Sequence, residues 1–175
     1  AQDLLFSEAE KTNGTAEEVQ VIGRVNDKLV CFVNMAGSAQ LIWYTLDMRR
    51  LGYSALDFYS RDVQGIDFSI INDEVHIFYE VKEKKKVLLY ATKIFDREKI
   101  FTPMLIDSIE TQGVFDKLKF SITHNQEGKK HFYGVIRNIP GKDMLYVNHT
   151  VLGASFEPIN KFNAALEVDK RYELV

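Results

Sequence analysis

Three short apolar runs separated by short polar breaks constrain this chain more than any other feature. In the middle of the sequence, runs at residues 66–71, 75–81 and 87–94 are rich in β-branched and aromatic residues, which favour strands. The breaks between them, at residues 72–74 and 82–86, are too short to hold a crossover helix. The pattern therefore predicts an antiparallel meander of β-strands.

The same unit occurs upstream in the same order, offset by 46 residues. Three pairs of matching residues share this separation: Asn26 and Asn72, Phe32 and Phe78, and Tyr44 and Tyr90. Because a turn residue and two strand residues keep one register, we interpret the two stretches as copies of one structural repeat.

A third copy follows at residues 118–150. In this copy Phe132 corresponds to Phe78 at a separation of 54 residues, and Tyr146 corresponds to Tyr90 at a separation of 56. The turns of the third copy are therefore expected to hold insertions. A fourth β-like run follows the first three runs of each copy, at residues 54–60, 101–109 and 155–162.

Four short strands that recur every ~45–55 residues are typical of β-propeller blades. In the order and period of its strands, the chain resembles β-propellers in the broad WD-like or kelch-like sense. The Gly-His and Trp-Asp pairs of WD repeats and the paired glycines of kelch repeats are absent from the sequence. The resemblance implies an all-β fold of propeller blades with four antiparallel strands each. An open β-sandwich built from the same strands is the alternative.

The expected organisation is an N-terminal segment at residues 1–18 and three blades, followed by the start of a fourth. The blades are expected at about residues 19–62, 63–114 and 115–163, and the next blade at residues 164–175. Propellers contain about four to eight blades, so we expect an incomplete ring. The remaining blades would come from the same protein or from another chain.

The composition excludes several functional classes. A hydrophobic content of 46% supports a real core. A net charge of −3 and a pI of about 5.8 give no reason to expect nucleic acid or an anionic membrane as a partner. No apolar run approaches the ~20 residues of a transmembrane helix, so the chain is not expected to span a membrane. The lysine-rich run at residues 82–86 is expected to be a solvated hairpin tip.

Neither the cysteine nor the histidines predict a metal site. Cys31 lies among large apolar neighbours and is interpreted as a small buried hydrophobe. His124 and His131 flank one hairpin and could face each other across its two strands. No third ligand is suggested by the spacing, so no metal and no cofactor are expected.

The carboxylates give no catalytic set. Six aspartates lie near predicted strand ends, at positions 47, 57, 67, 96, 107 and 116. Glycosidase propellers place carboxylates around a central channel, and Asp67 belongs to a predicted innermost strand. No pair of carboxylates can be placed from the sequence, and turn capping explains such residues equally well. The chain is therefore not expected to be an enzyme, and no catalytic residue is assigned.

Two short patterns suggest an exported protein. The Ala1-Gln2 start resembles the mature ends of exported Bacteroidota proteins, in which signal cleavage commonly leaves Gln first. The tripeptide Asp107-Ser108-Ile109 is similar to the O-glycan acceptor of such proteins, which makes Ser108 a candidate modification site. The chain is therefore expected in the periplasm, at the outer membrane or outside the cell.

These observations favour a non-catalytic interaction scaffold in an exported or cell-envelope assembly, with protein partners. The connections at residues 48–53, 95–100 and 138–142 are the predicted binding loops, because repeat proteins recognise partners through loops on one face. The alternative is a carbohydrate-binding or glycoside-cleaving propeller, in which Asp67 would be the residue to test.

Overall fold

The computed structural model describes residues 16–35, 37–97, 99–110, 120–125, 127, 129–138 and 144–167. These residues form thirteen β-strands and no helix. Within the same part of the chain, no helix has the length and apolarity that crossing a membrane requires.

The strands form three sheets. The first contains β1 (Ala16–Val25), β2 (Lys28–Met35), β3 (Ser38–Thr45) and β4 (Arg50–Ala55). The second contains β5 (Val63–Ile71), β6 (Glu74–Glu83), β7 (Lys86–Asp96) and β8 (Lys99–Ile100), and β9 (Met104–Glu110) also pairs with β7. The third contains β10 (Phe120–Asn125), β11 (Lys130–Asn138), β12 (Met144–Leu152) and β13 (Pro158–Glu167).

In each sheet, strands that follow one another in the sequence lie side by side as a meander, except that β9 of the second sheet pairs with β7 rather than with β8. All pairs in the first and third sheets are antiparallel. Four consecutive antiparallel strands are the build of a propeller blade, so the predicted all-β fold class is confirmed. Three separate meanders do not fit the alternative of an open β-sandwich.

The backbone of the first turn explains why asparagine recurs there. Asn26 and Asn72, which are 46 residues apart, have φ angles of 53° and 54° and begin the β1–β2 and β5–β6 turns. Asparagine tolerates this left-handed conformation better than most residues. The run at residues 82–86 forms the β6–β7 hairpin tip, where Lys84 has a φ of 46° and all five side chains are exposed. The predicted hairpin tip is confirmed.

The fourth strands differ from the sequence prediction. In the first sheet the strand is Arg50–Ala55 rather than residues 54–60, because a bulge beside Gly52 lets the expected link pair with β3. In the second sheet the predicted run at 101–109 begins only at Met104, after the short β8. Pro103 precedes β9 and lacks the N–H that a strand pairing would use.

The end of the third sheet also differs from the prediction. Residues 164–167 were expected to open a further blade, but they complete β13 and pair with β12. The physical reason is that no turn interrupts the chain between Pro158 and Glu167, so these residues continue in the β12–β13 register, with Ala164 opposite Val147. Residues 168–175 of the expected fourth blade and residues 1–15 of the N-terminal segment lie outside the described residues.

The chain divides into two compact units, which are described separately. The first unit contains the described residues up to Tyr79 together with Ala91–Met104. Its core lies between the first sheet and part of the second: Phe32 is fully buried, with its ring centroid 4.9 Å from that of Phe68. Trp43 is also buried, and its indole N–H donates a 3.0 Å hydrogen bond to the Ser54 hydroxyl.

The second unit contains Glu80–Tyr90 and the described residues from Leu105 onward. Phe120 and Tyr133 are buried in it, with ring centroids 5.9 Å apart. This core also holds the Glu80 carboxylate, which accepts a 3.1 Å hydrogen bond from the Phe120 amide. The sequence analysis missed Glu80. The sequence feature that could have indicated it is a single acidic residue near the end of the apolar run at residues 75–81.

Candidate interaction surface

Two of the three predicted binding loops meet in the first unit. The Arg97 guanidinium donates a hydrogen bond to the Leu51 carbonyl, and the Ser54 hydroxyl donates to the Arg97 carbonyl at 2.6 Å. The connection at residues 95–100 therefore lies against β4, within the segment predicted as the first loop. Of the third predicted loop, only Asn138 falls within the described residues, as the end of β11.

Gly52 makes this close approach possible. Its φ of 150° is a conformation that L side chains rarely adopt. A Cβ atom at this position would also lie 3.1 Å from the Arg97 Nη1. Glycine is therefore required here by backbone conformation and is favoured by the crowding under Arg97.

The β3–β4 turn is held in shape by its own polar groups. The Thr45 amide donates to the Arg49 carbonyl at 2.9 Å, and the Arg49 amide donates to the Thr45 hydroxyl at 3.0 Å. The Thr45 hydroxyl donates in turn to Asp47, whose carboxylate lies 2.9 Å from the Arg49 guanidinium. The Thr45 hydrogen bond, assisted by the Arg49 charge, lowers the pKa of Asp47.

Further contacts connect the turns of the two sheets. The Asp96 carboxylate accepts a 2.7 Å hydrogen bond from the Arg97 amide and lies 3.5 Å from the Lys28 ammonium. The hydrogen bond from Arg97 and the Lys28 charge together lower the pKa of Asp96. The Asn26 amide also donates to the Asp73 carboxylate at 3.2 Å. The same ends of both sheets thus form one surface of polar turns.

We name this surface the turn face and define it by Lys28, Leu46, Asp47, Arg49, Phe95, Asp96 and Arg97. Leu46 is 45% exposed, Phe95 is 53% exposed, and the Arg49 side chain is 83% exposed. Exposed aromatic and arginine side chains are enriched where proteins bind one another. The turn face therefore has the chemistry of a protein-docking surface.

The structure places Asp67 on β5, the first strand of the second sheet. Its carboxylate accepts a 2.8 Å hydrogen bond from the Phe68 amide. A nearby cavity of about 240 Å³ is lined by Glu18, Tyr59, Val63, Gln64, Gly65 and Ile66. This volume is below the ~300–1,000 Å³ typical of small-molecule sites, so the cavity suits at most a small ligand.

Cys31 is half-buried on β2, and burial raises the pKa of its thiol. His124 and His131 are direct cross-strand partners, as the sequence predicted, with their Nδ1 atoms 2.9 Å apart. His131 is fully buried. Among the described residues, no group of three or more His, Cys, Asp or Glu side chains could hold a metal ion.

Ser108 lies exposed on β9. The preceding Asp107 accepts a 2.8 Å hydrogen bond from the Ser108 amide and another, at 3.3 Å, from the Tyr133 hydroxyl. Burial, assisted by the Asp107 carboxylate, raises the pKa of Tyr133. The Ser108 hydroxyl is therefore accessible on a strand whose neighbouring residues are held in place, and its modification stays a prediction.

A comparison with solved structures finds a β-propeller domain. No protein-family model matches the sequence, and no curated protein matches it. Among solved structures, the chain is similar to the β-propeller domain of Nup133 from Vanderwaltozyma polyspora, at 11% identity and a TM-score of 0.43. The match covers 87% of this chain and 47% of that chain, so this chain spans about half the length of the Nup133 domain.

Proposed function

We propose that this protein is a non-catalytic scaffold of β-propeller blades that binds protein partners in an exported or cell-envelope assembly. The observation that carries the proposal is the turn face, where exposed Leu46, Arg49 and Phe95 stand on turns fixed by Arg97 and Thr45. A docking surface held in one conformation loses little conformational entropy when a partner binds.

The charges of the turn face favour a protein partner over a nucleic acid. Asp47 and Asp96 are paired with Arg49 and Lys28, so acidic and basic groups are interspersed. A nucleic-acid surface needs unpaired basic groups for the phosphates. Mixed charge around exposed apolar side chains suits a partner with a similar mixed surface.

The test compares captured partners among matched variants in the native envelope. Leu46→Asp and Phe95→Asp each place a charge on the turn face and should reduce recovery of a cross-linked partner at least ~10-fold, as expected for an interface anchor. Met104→Asp is the control, because Met104 is 50% exposed and lies outside the turn face. Equal recovery by all three variants, or recovery of this chain alone, would overturn the proposal.

The exposed position of Ser108, within the tripeptide Asp107-Ser108-Ile109, supports the envelope setting. Intact-mass measurement of the native protein should show an added glycan that the Ser108→Ala variant lacks. An unmodified native mass would remove this support while leaving the scaffold role intact.

One observation favours carbohydrate binding as a second candidate. The cavity beside β5 combines a carboxylate, an aromatic ring and an amide in Glu18, Tyr59 and Gln64, which are groups that bind sugar hydroxyls and faces. Glycan binding by the wild-type protein that is lost in Tyr59→Ala would support it. Unchanged binding or turnover in Asp67→Ala would show that Asp67 plays no part.

A further inference from the structure

Two histidines share a hydrogen bond across the first hairpin of the third sheet. His124 on β10 and His131 on β11 are direct cross-strand partners. Their Nδ1 atoms are 2.9 Å apart, and the planes of the two rings are nearly perpendicular, at 86°. His131 is fully buried, whereas His124 is half-buried. The hairpin therefore joins a buried titratable ring to one that solvent can reach.

This short separation limits how many protons the pair can hold. A hydrogen bond between two Nδ1 atoms needs a hydrogen on one nitrogen and a lone pair on the other. A neutral ring carries a hydrogen on one of its nitrogens, and a protonated ring carries a hydrogen on both. The hydrogen bond can therefore form when both rings are neutral or when one is protonated. When both are protonated, two N–H groups of like charge face each other and the bond is lost.

The connection between β12 and β13 packs on the buried ring. Phe156 is 5% exposed, and its ring centroid lies 5.7 Å from that of His131. Its φ of 65° is unusual for a bulky residue, and such a backbone persists only when its surroundings hold it. The Phe156 amide closes the turn by donating a 3.0 Å hydrogen bond to the Gly153 carbonyl. The buried His131 ring is thus one of the contacts that keep this strained residue in place.

Titratable groups of the elements around the pair have contacts of their own or are exposed. They include Glu80 and Asp107 of the second sheet, Glu157 of the β12–β13 connection, and Tyr133 and Lys161 of the third sheet. The three carboxylates accept hydrogen bonds from the Phe120 amide, the Tyr133 hydroxyl and the Ser155 amide, respectively. Ordinary carboxyl groups stay ionised between about pH 7 and pH 5, where ordinary histidines gain protons. Mild acid therefore acts on the two histidines.

We propose that His124 and His131 form a pH-sensitive switch that keeps the second unit closed at neutral pH. The shared hydrogen then joins β10 to β11, and His131 stays buried against Phe156. In acid each ring binds a proton, which removes the hydrogen bond and leaves two like charges side by side. A charged and unpaired His131 is more stable in water than in the core, so the β10–β11 hairpin and the β12–β13 connection open together. The switch goes beyond the proposed scaffold role and uses none of the turn-face residues.

The direction of the effect follows from the number of protons that each state binds. The closed pair holds at most one extra proton, whereas two separated rings bind two in acid. Stability falls with the pH wherever the open form binds more protons than the closed form. The loss should begin near the ordinary histidine pKa of about 6.5. Each extra proton raises the equilibrium constant for opening by up to ~10-fold per pH unit.

Hydrogen exchange at the backbone amides of β10 and β11 tests the proposal. Below about pH 6.5, wild-type protection factors, which already correct for the intrinsic effect of pH on exchange, should fall by up to ~10-fold per pH unit. His124→Gln removes one titrating ring but keeps a polar group, and should make protection depend less steeply on pH. His149→Gln is the matched control, because His149 is exposed on the same sheet and lies outside the pair. It should respond like the wild type.

Three results of this experiment would overturn the proposal. The first is wild-type protection that stays constant as the pH falls. The second is protection in His124→Gln that falls as steeply as in the wild type. The third is a response that weakens equally in His149→Gln, because it would then not depend on the pair.

NMR of the imidazole nitrogens in the wild-type protein gives a second readout that needs no substitution. At neutral pH one Nδ1 should carry a hydrogen and the other should carry none, with a scalar coupling between them across the hydrogen bond. The coupling should disappear at the pH where hairpin protection is lost. Two Nδ1 atoms in the same protonation state at neutral pH, or a coupling that outlasts the loss of protection, would contradict the proposal even if a variant misfolds.

Discussion

The predicted repeat aligns Phe32 with Phe132, and the two residues differ in burial. Phe32 is fully buried between two sheets of the first unit, whereas Phe132 is half-buried on β11 of the third sheet. Both belong to regular antiparallel strands with uninterrupted pairing at these positions. Similar strand pairing thus accompanies different burial, and burial depends on what packs against each sheet.

The largest expected effect tests this difference directly. Phe32→Ala should lower the free energy of unfolding by about 3–5 kcal/mol, because it leaves a cavity in a closed core. Phe132→Ala should cost roughly half as much or less, since part of its ring already contacts solvent. Urea unfolding of both variants measures the difference.

Phe78→Ala is the matched control, because Phe78 holds the same repeat position in the second sheet and is fully buried. It should behave like Phe32→Ala. Equal losses for the Phe32 and Phe132 variants would contradict the expectation and show that the Phe132 ring is packed as tightly as that of Phe32.

A smaller effect is expected from the buried polar contacts of the two cores. The buried Glu80 carboxylate accepts a hydrogen bond from the Phe120 amide, whereas the nearest equivalent in the first core is the neutral contact of Trp43 with Ser54. Glu80→Ala should lower the free energy of unfolding by about 1–3 kcal/mol, because it leaves the buried amide without this acceptor.

Glu80→Gln keeps an acceptor oxygen and should lose less stability than Glu80→Ala in the same urea titrations. Hydrogen exchange should locate the loss at the Phe120 amide. Identical stability of Glu80→Ala and the wild type would show that this contact contributes nothing to the second core.

The smallest effect concerns pH at the turn face. Hydrogen bonds and neighbouring cations lower the folded-state pKa of Asp47 and Asp96. A lowered pKa means that these groups stabilise the fold above the ordinary aspartate pKa, and that this contribution is lost as the pH falls through the folded value. Asp96→Asn should therefore reduce the acid-induced loss of stability, by less than about 1 kcal/mol because the group is exposed.

Thermal unfolding between neutral pH and about pH 3 checks this, and that range includes the ordinary aspartate pKa. Asp62→Asn, at an exposed position outside the turn face, controls for the loss of one negative charge. An Asp96→Asn profile parallel to that of the wild type would contradict the expectation.

The sequence predicted local features well because they depend on neighbouring residues. The left-handed turns at Asn26 and Asn72 and the facing pair of His124 and His131 follow from turn chemistry and hairpin register. The fourth strand of the first sheet was misplaced, because the bulge beside Gly52 lets an apparent link pair with β3.

The sequence pattern could not predict contacts between residues that lie far apart in the chain. Arg97 and Leu51 are 46 residues apart, so their spacing matches the repeat, but nothing local shows that one side chain reaches the other backbone. The role of Glu80 could not be predicted, because the sequence does not show whether an acidic side chain within an apolar run faces solvent or a buried amide. The turn face was predicted as separate loops rather than as one surface.

The hydrogen bonds between Arg97 and β4 affect which fragments of this protein can keep the first sheet intact. A fragment ending at residue 62 would contain the whole first sheet, yet the Leu51 carbonyl would lose its guanidinium donor and the Ser54 hydroxyl would lose its carbonyl acceptor. The edge strand β4 of the first sheet thus depends on hydrogen bonds with Arg97, which follows β7 of the second sheet. Swapping or shuffling repeats in this protein would require moving Arg97 together with the sheet that precedes it.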